Sequence, residues 1–166
     1  LISLGYEFKS DSDTEVILAA FTEWQEKCLN KFNGMWALAI WDNEKKELFL
    51  SRDRFGVKPL FYSEKENLKN KSDFVFASEM KAITPFLKSI NPDRDLIKDL
   101  DNIFYYESTE KTLIKEIKRF PAGSYAFIKN NKVEIHQFWN TLDHIKDVNM
   151  SYDEQVKEFR KLFLNS

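Results

Sequence analysis

The chain has 166 residues, 43% of them hydrophobic and 31% charged, enough to bury a core without a disulfide or metal and too apolar for a disordered tail. Lys+Arg 25 against Asp+Glu 27 leaves a net charge of −2, so no basic excess points to nucleic acid and no acidic tail to a basic partner. The lone cysteine, Cys28, excludes a disulfide framework within the chain and fits a reducing compartment; with only two histidines beside it, a zinc site of the usual kinds is excluded as well.

In chain order, Leu1-Ile-Ser-Leu-Gly-Tyr-Glu-Phe8 reads as the tail of an element followed by a turn, so the sequence is expected to begin inside a larger protein. Ser10-Asp-Ser-Asp-Thr-Glu15 is a cluster of capping residues. Val16, Ile17, Ala20, Phe21 and Trp24 follow at helical spacing. With Asp11, Ser12 or Asp13 as N-cap, this predicts a helix reaching about Cys28 or Leu29 and ended by Asn33-Gly34. Two apolar runs, Met35 to Trp41 and Glu47 to Ser51, flank the polar Asp42–Lys46 and predict a β-hairpin. The unbroken first run predicts a strand covered on both faces. It is far too short to span a bilayer.

Ser51 to Leu60 is a loop, with Gly56 free to take positive φ and Pro59 fixing its own. Leu60–Tyr62 and Phe74–Ala77 are strands around a polar hairpin loop, Ser63 to Asp73. Ser78 is expected to cap a short helix through Ile83, with Pro85 beyond it. Asn91-Pro92-Asp93 starts a second helix to about Tyr106, with Pro92 at its first position. Phe120 to Ser124 is a turn, and Tyr125–Lys129 with Lys132–Phe138 a hairpin across Asn130-Asn131. Asn140 to Asn149 is polar and linker-like. Ser151-Tyr-Asp-Glu154 is a capping box for a last helix whose apolar face is Val156, Phe159, Leu162 and Phe163.

Side-chain chemistry alone reaches no catalytic constellation. Cys28 lies late in an amphipathic helix and reads as a half-buried small side chain, not a nucleophile. His136 and His144 read as structural or surface histidines. Within Asp11, Asp13 and Glu15, a carboxylate at a helix N-terminus is favoured as the anion, so it could receive a ligand's ammonium group; simple capping competes with that reading. Asp53, among Arg52, Arg54 and Lys58, is either one ion pair of a solvated loop or the centre of a structural knot.

Four stretches run in order: Ser12-Asp-Thr-Glu-Val16, Asn33-Gly-Met-Trp-Ala-Leu-Ala-Ile-Trp-Asp42, Arg52-Asp-Arg-Phe-Gly-Val-Lys-Pro-Leu60 and Phe76-Ala-Ser-Glu-Met-Lys-Ala-Ile83. With Phe120-Pro-Ala-Gly-Ser-Tyr125 and Phe138-Trp139, they resemble the glutaminase domain of glutamine-hydrolysing asparagine synthetases over nearly the whole chain. The resemblance implies a class II glutamine amidotransferase of the N-terminal-nucleophile type. Its fold is α+β, four αββα layers with two antiparallel sheets, and is expected to be incomplete at the N-terminus. Residues 1–139 would be a partial glutaminase domain, 140–150 a linker, and 151–166 the first helix of a following synthetase domain.

In that family an N-terminal cysteine attacks the glutamine amide, its own α-amino group acting as base. Ammonia crosses an internal tunnel to an aspartyl-adenylate, and asparagine, AMP and pyrophosphate leave. The resemblance therefore implies L-glutamine as ligand, L-aspartate, ATP and Mg acting through the absent domain, a cytoplasmic location and a homodimer among the assemblies allowed. No metal, nucleic-acid or membrane partner is expected for this chain.

Carried over residue by residue, Asp13 matches the aspartate that holds the glutamine α-amino group. Met35 and Val57 match apolar positions lining the tunnel, where an apolar wall passes neutral NH3 and disfavours ammonium. Plain core packing is compatible with both. The N-terminal cysteine, the arginine that binds the glutamine carboxylate and the Asn-Gly-Glu oxyanion segment have no match, and Cys28 does not stand in for the nucleophile. No catalytic residue is expected here, and the polypeptide alone is expected to show neither glutaminase nor synthetase activity. The alternatives are the glutaminase domain of another class II amidotransferase, an amidophosphoribosyltransferase or a sugar- or peptide-amidating homologue, or a non-catalytic interaction domain that keeps the fold. The runs Gly34–Ala37 and Ser78–Lys81 favour the synthetase.

Overall fold

The computed structural model describes residues 1–70, 74–98, 109–130, 132–145 and 147–164. Among the described residues, seven strands form two antiparallel sheets. The larger has the order β1-β2-β6-β7, from β1 (Ala37–Asp42), β2 (Glu47–Arg52), β6 (Ser124–Lys129) and β7 (Lys132–Gln137). The smaller has the order β4-β3-β5, from β3 (Phe61–Ser63), β4 (Val75–Ala77) and β5 (Lys118–Arg119). Helices are α1 (Asp13–Trp24), α2 (Met80–Ile83), α3 (Arg94–Lys98) and α4 (Tyr152–Leu164).

Strand alternation sorts the apolar side chains into three interfaces. On β2, Phe49 faces one way, joining Ala20, Cys28 and Leu29 beneath α1 and the 3-10 turn Gln25–Lys31. Leu48 and Leu50 face the other way, toward Tyr62, Phe74, Phe76 and Phe120 of the small sheet and its flanks. The far face of that sheet, Phe61, Val75 and Ala77, packs on Ile83, Leu87, Leu68 and Ile117. The succession is helix, sheet, sheet, helix: the αββα arrangement, an α+β fold. Much of the phenylalanine sits here, with Phe49 at the centre of Phe21, Phe127 and Tyr125 at ring separations of 4.6, 5.1 and 5.8 Å.

Several local expectations are corrected. The strand at 35–41 is not covered on both faces. β1 is an edge strand whose exposure alternates, with Leu38 and Ile40 turned to α1 and Ala39 and Trp41 exposed. Its outer face lies in register with Leu50 and Leu48, but among the described residues the three-stranded small sheet does not extend over it. The first helix is α only to Trp24; Gln25, at φ 50, breaks it, and a 3-10 turn carries the chain to Lys31. Ser78 is not the cap of α2: Glu79 holds that position, with no side-chain capping bond. Pro92 does not open α3. It stands in an isolated bridge with Ile114, while the Asp93 carboxylate accepts from the N–H groups of Asp95 and Leu96. The rest of that expected helix, 99 to about 106, lies outside the described residues, as do 71–73 of the polar loop, Asn131 of the β6–β7 turn and the last two residues of the expected final helix. The polar stretch after Trp139 includes a 3-10 turn, Thr141–His144, with the Asn140 side chain capping Leu142 N–H.

The loop after β2 positions everything near α1. Asp53 is buried, and its carboxylate accepts from the N–H groups of Phe55 (3.1 Å), Val57 (3.0 Å) and Lys58 (3.0 Å). Its own N–H donates to Trp36 O, and its carbonyl accepts from Gly56 and Gly123. Arg52 donates to the carbonyls of Lys58, Phe120 and Gly56. The knot reading of Asp53 therefore holds, with backbone donors around the carboxylate. Gly123 is needed where it is: at φ +61, a Cβ there would lie 2.5 Å from Trp139 O.

Candidate functional site

The capping cluster before α1 divides its work among three side chains. Ser12 is the N-cap, its Oγ accepting from Thr14 N–H at 3.3 Å. Glu15 folds the preceding loop back, accepting from the N–H groups of Lys9 and Ser10 at 3.0 Å and from Ser10 Oγ at 2.7 Å. The Ser10 hydroxyl, chiefly, and these backbone donors hold its carboxyl below the ordinary value. Asp13 does neither job. It is exposed at the first turn of α1, and among the described residues its carboxylate has no hydrogen-bond or ion-pair partner. The sequence cluster gave no way to tell these three roles apart.

Asp13 borders an open cleft of about 360 Å3. Val16 and Ile17 line it from α1, Lys31 and Phe32 from the 3-10 turn, and Asn33-Gly34-Met35-Trp36 from the run into β1. Met35 also borders a neighbouring cleft of about 470 Å3 that runs along β1 past Ala37 and Ala39 to Lys58, Pro59 and Ser78. The structure thus brings Asp13 and Met35 together. Val57 lines neither cleft but adjoins Lys58 and Pro59, which do. Met35 and Val57 are 59% and 55% exposed, so within the described residues they are surface side chains rather than walls of a closed passage. Lys31, Asn33, Lys58 and Ser78 are cleft residues that sequence reasoning missed. Asn33, Lys58 and Ser78 stand inside stretches that carry the family resemblance, which is the signal that could have pointed to them.

The other reactive side chains lie elsewhere. Cys28 is buried beneath α1, and burial pushes its thiol up to about 11, which makes it a poor nucleophile near neutrality. His136 stacks on Tyr125 across β6 and β7, and His144 stacks on Trp139 with ring centroids 3.9 Å apart. Among the described residues no three His, Cys, Asp or Glu side chains come together to hold a metal, and no helix is long and apolar enough to cross a membrane.

What this arrangement can do is hold a ligand's cationic group at Asp13 beside an apolar flank. The chain is similar in sequence to known proteins. Asparagine synthetase [glutamine-hydrolyzing] 3 of Bacillus subtilis is 37% identical over 162 residues, which is 96% of this chain and 25% of that protein. Asparagine synthetase [glutamine-hydrolyzing] 1 of the same organism is 30% identical over 98% of this chain and 24% of its own length. Asparagine synthetase B [glutamine-hydrolyzing] of Escherichia coli is 31% identical over 86% and 20%. The chain thus spans about a quarter of the length of these relatives. A family model described as a glutamine amidotransferase domain matches residues 1–139, and the chain belongs to that family.

Proposed function

We propose that this chain is the glutamine-binding part of a glutamine-hydrolysing asparagine synthetase, with Asp13 receiving the α-amino group of L-glutamine and Met35 and Val57 flanking the path of released ammonia. The observation that carries the reading is the uncommitted Asp13 carboxylate on the cleft it shares with Met35. A carboxylate at a helix N-terminus ordinarily caps it, yet here Ser12 does so. Asp13 is left to form a charge-assisted hydrogen bond with an ammonium group. The names of the relatives supply glutamine as the substrate and asparagine synthesis as the overall reaction.

In this reading residues 140–150 link the domain to the synthetase region, and α4 is that region's first helix. L-aspartate, ATP and magnesium are handled by that region. Among the described residues no His, Cys, Asp and Glu side chains gather to hold the magnesium. The chain's own part is to bind and orient glutamine, and the buried Cys28 is not its attacking nucleophile.

The test uses the polypeptide that carries this chain. Replacing Asp13 with Asn removes the charge from one hydrogen bond to an ammonium, a loss of roughly 1.5–3 kcal/mol or about 10–100-fold in glutamine KM. Synthesis from added ammonia should be unchanged. Equal losses with both nitrogen donors would make Asp13 structural and sink the reading.

A further inference from the structure

Arg54 occupies a position that neither the fold nor the ligand explains by itself. Its guanidinium lies between two indoles, with Cζ 5.0 Å from the Trp139 ring centroid and 5.9 Å from that of Trp36. In its own plane, Nη1 donates to Phe32 O at 2.7 Å and Nη2 to Asn30 O at 3.4 Å. Its Nε is buried and has no acceptor among the described residues, so the ring faces are what that part of the cation is given. Both carbonyls belong to the stretch that leads into the cleft wall, and Phe32 and Trp36 themselves line the cleft.

The other indole belongs to a different part of the molecule. Trp139 stands where the chain leaves β7, pinned by its N–H to Gly123 O, and it stacks on His144 at an interplanar angle of 14°. Phe138 stacks on Trp36 at 6.0 Å. Arg54 thus touches both the cleft wall and the departing segment. A planar fork can donate at its edge and stack on both faces at once; an ammonium cannot.

We infer that Arg54 is a positioning residue: it fixes the Lys31–Trp36 wall of the Asp13 cleft against the segment Phe138–His144, so that the shape of the cleft depends on how the chain leaves the domain. The inference rests on the reading that this cleft binds glutamine.

The experiment compares Arg54→Met, Arg54→Lys, Trp139→Ala and the double variant of Met and Ala, in the polypeptide that carries this chain, by glutamine KM and by kcat with glutamine and with ammonia. Arg54→Met should raise glutamine KM on the order of tenfold, as a small displacement of a binding wall does, and leave ammonia-supported kcat unchanged. Arg54→Lys keeps the charge and stem and should raise KM less; it supplies the reading should the Met variant fail to fold. Trp139→Ala, which alters no cleft residue, should raise KM in the same direction, and the double variant should be no worse than Arg54→Met alone.

An unchanged glutamine KM, an equal fall in kcat with both donors, or additive effects of Arg54 and Trp139 would overturn the inference. Asp13→Asn is run alongside. If it raises KM while the Arg54 variants do not, the coupling fails and the glutamine site stands. If it leaves KM untouched, both fail.

Discussion

Asp13 and Glu15 are two residues apart, chemically near-identical and differently employed. Glu15 is spent on the Lys9–Ser10 backbone, whereas Asp13 is left facing a cleft. From sequence the cluster could only be read as caps or as an amine site. The family resemblance singled out Asp13, and side-chain geometry supplies the reason it is available. Cys28 is the opposite case, partly legible from the residues alone: it reads as a half-buried side chain late in an amphipathic helix, and it is fully buried, on the 3-10 turn that follows α1. That burial gives a pH prediction. The thiol's ordinary value of 9.0 is raised to about 11, so between those values the unfolded chain loses a proton that the folded chain keeps. Stability from this group is fully present below pH 9 and falls as pH rises toward 11. Urea midpoints across that window should decline, and Cys28→Ala should flatten the thiol's share of the decline. Tyr62, also raised by burial, leaves a further alkaline loss in place. A slope unaltered by Cys28→Ala would show that the thiol is not what titrates.

At the scale of elements, the sequence was clearest where a turn residue punctuates a strand. β2, β6 and β7 lie within a residue or so of their expected limits, because the hairpin between β6 and β7 turns on Asn130 at φ 51. It was least clear where the environment decides. An unbroken apolar run looks the same whether both faces are buried or only one, and β1 proved to be the second kind. β5, two residues long, is called into strand conformation by pairing with β3 and leaves no periodicity to detect. The loop after β2 was half legible: a knot with backbone and Arg hydrogen bonds to Asp53 could be read, but not which N–H groups converge on the carboxylate, nor that Arg52 donates to the carbonyls of Lys58, Phe120 and Gly56. Asp53→Asn turns one acceptor oxygen into a donor facing such an N–H. It should cost about 1–3 kcal/mol of unfolding free energy for the unsatisfied pair, read from the urea midpoint. Arg52 and Gly56 would lose their scaffold with it, so the Val57 and Lys58 amides, which donate to this carboxylate, should exchange their protons faster. A loss below about 0.5 kcal/mol, the scale of an ordinary surface change, would mean the loop is held without Asp53.

Over the whole molecule, stability is concentrated in the three interfaces that stack α1, the two sheets and the α2 region, and the site lies at the margin of that stack, where α1 meets the edge strand. α4 stands outside it. None of its described residues is buried, and Phe159 and Leu162 of its apolar face are 69% and 61% exposed. Ser151 bonds Glu154 through both its N–H and its hydroxyl, so the helix start is defined locally. A helix of thirteen residues is nevertheless marginal in water unless an apolar face is covered. Two consequences follow from that contrast. A chain ending at Met150 should unfold in urea at the same midpoint as the full 166 residues, because no interface of the stack loses a member. The helical far-UV signal of residues 152–164 should melt below the main transition, since nothing in the stack couples the two. An unfolding free energy lowered by more than about 1 kcal/mol, beyond the scale of a surface change, would place α4 against the sheets and assign its apolar face to this domain rather than to the proposed synthetase region.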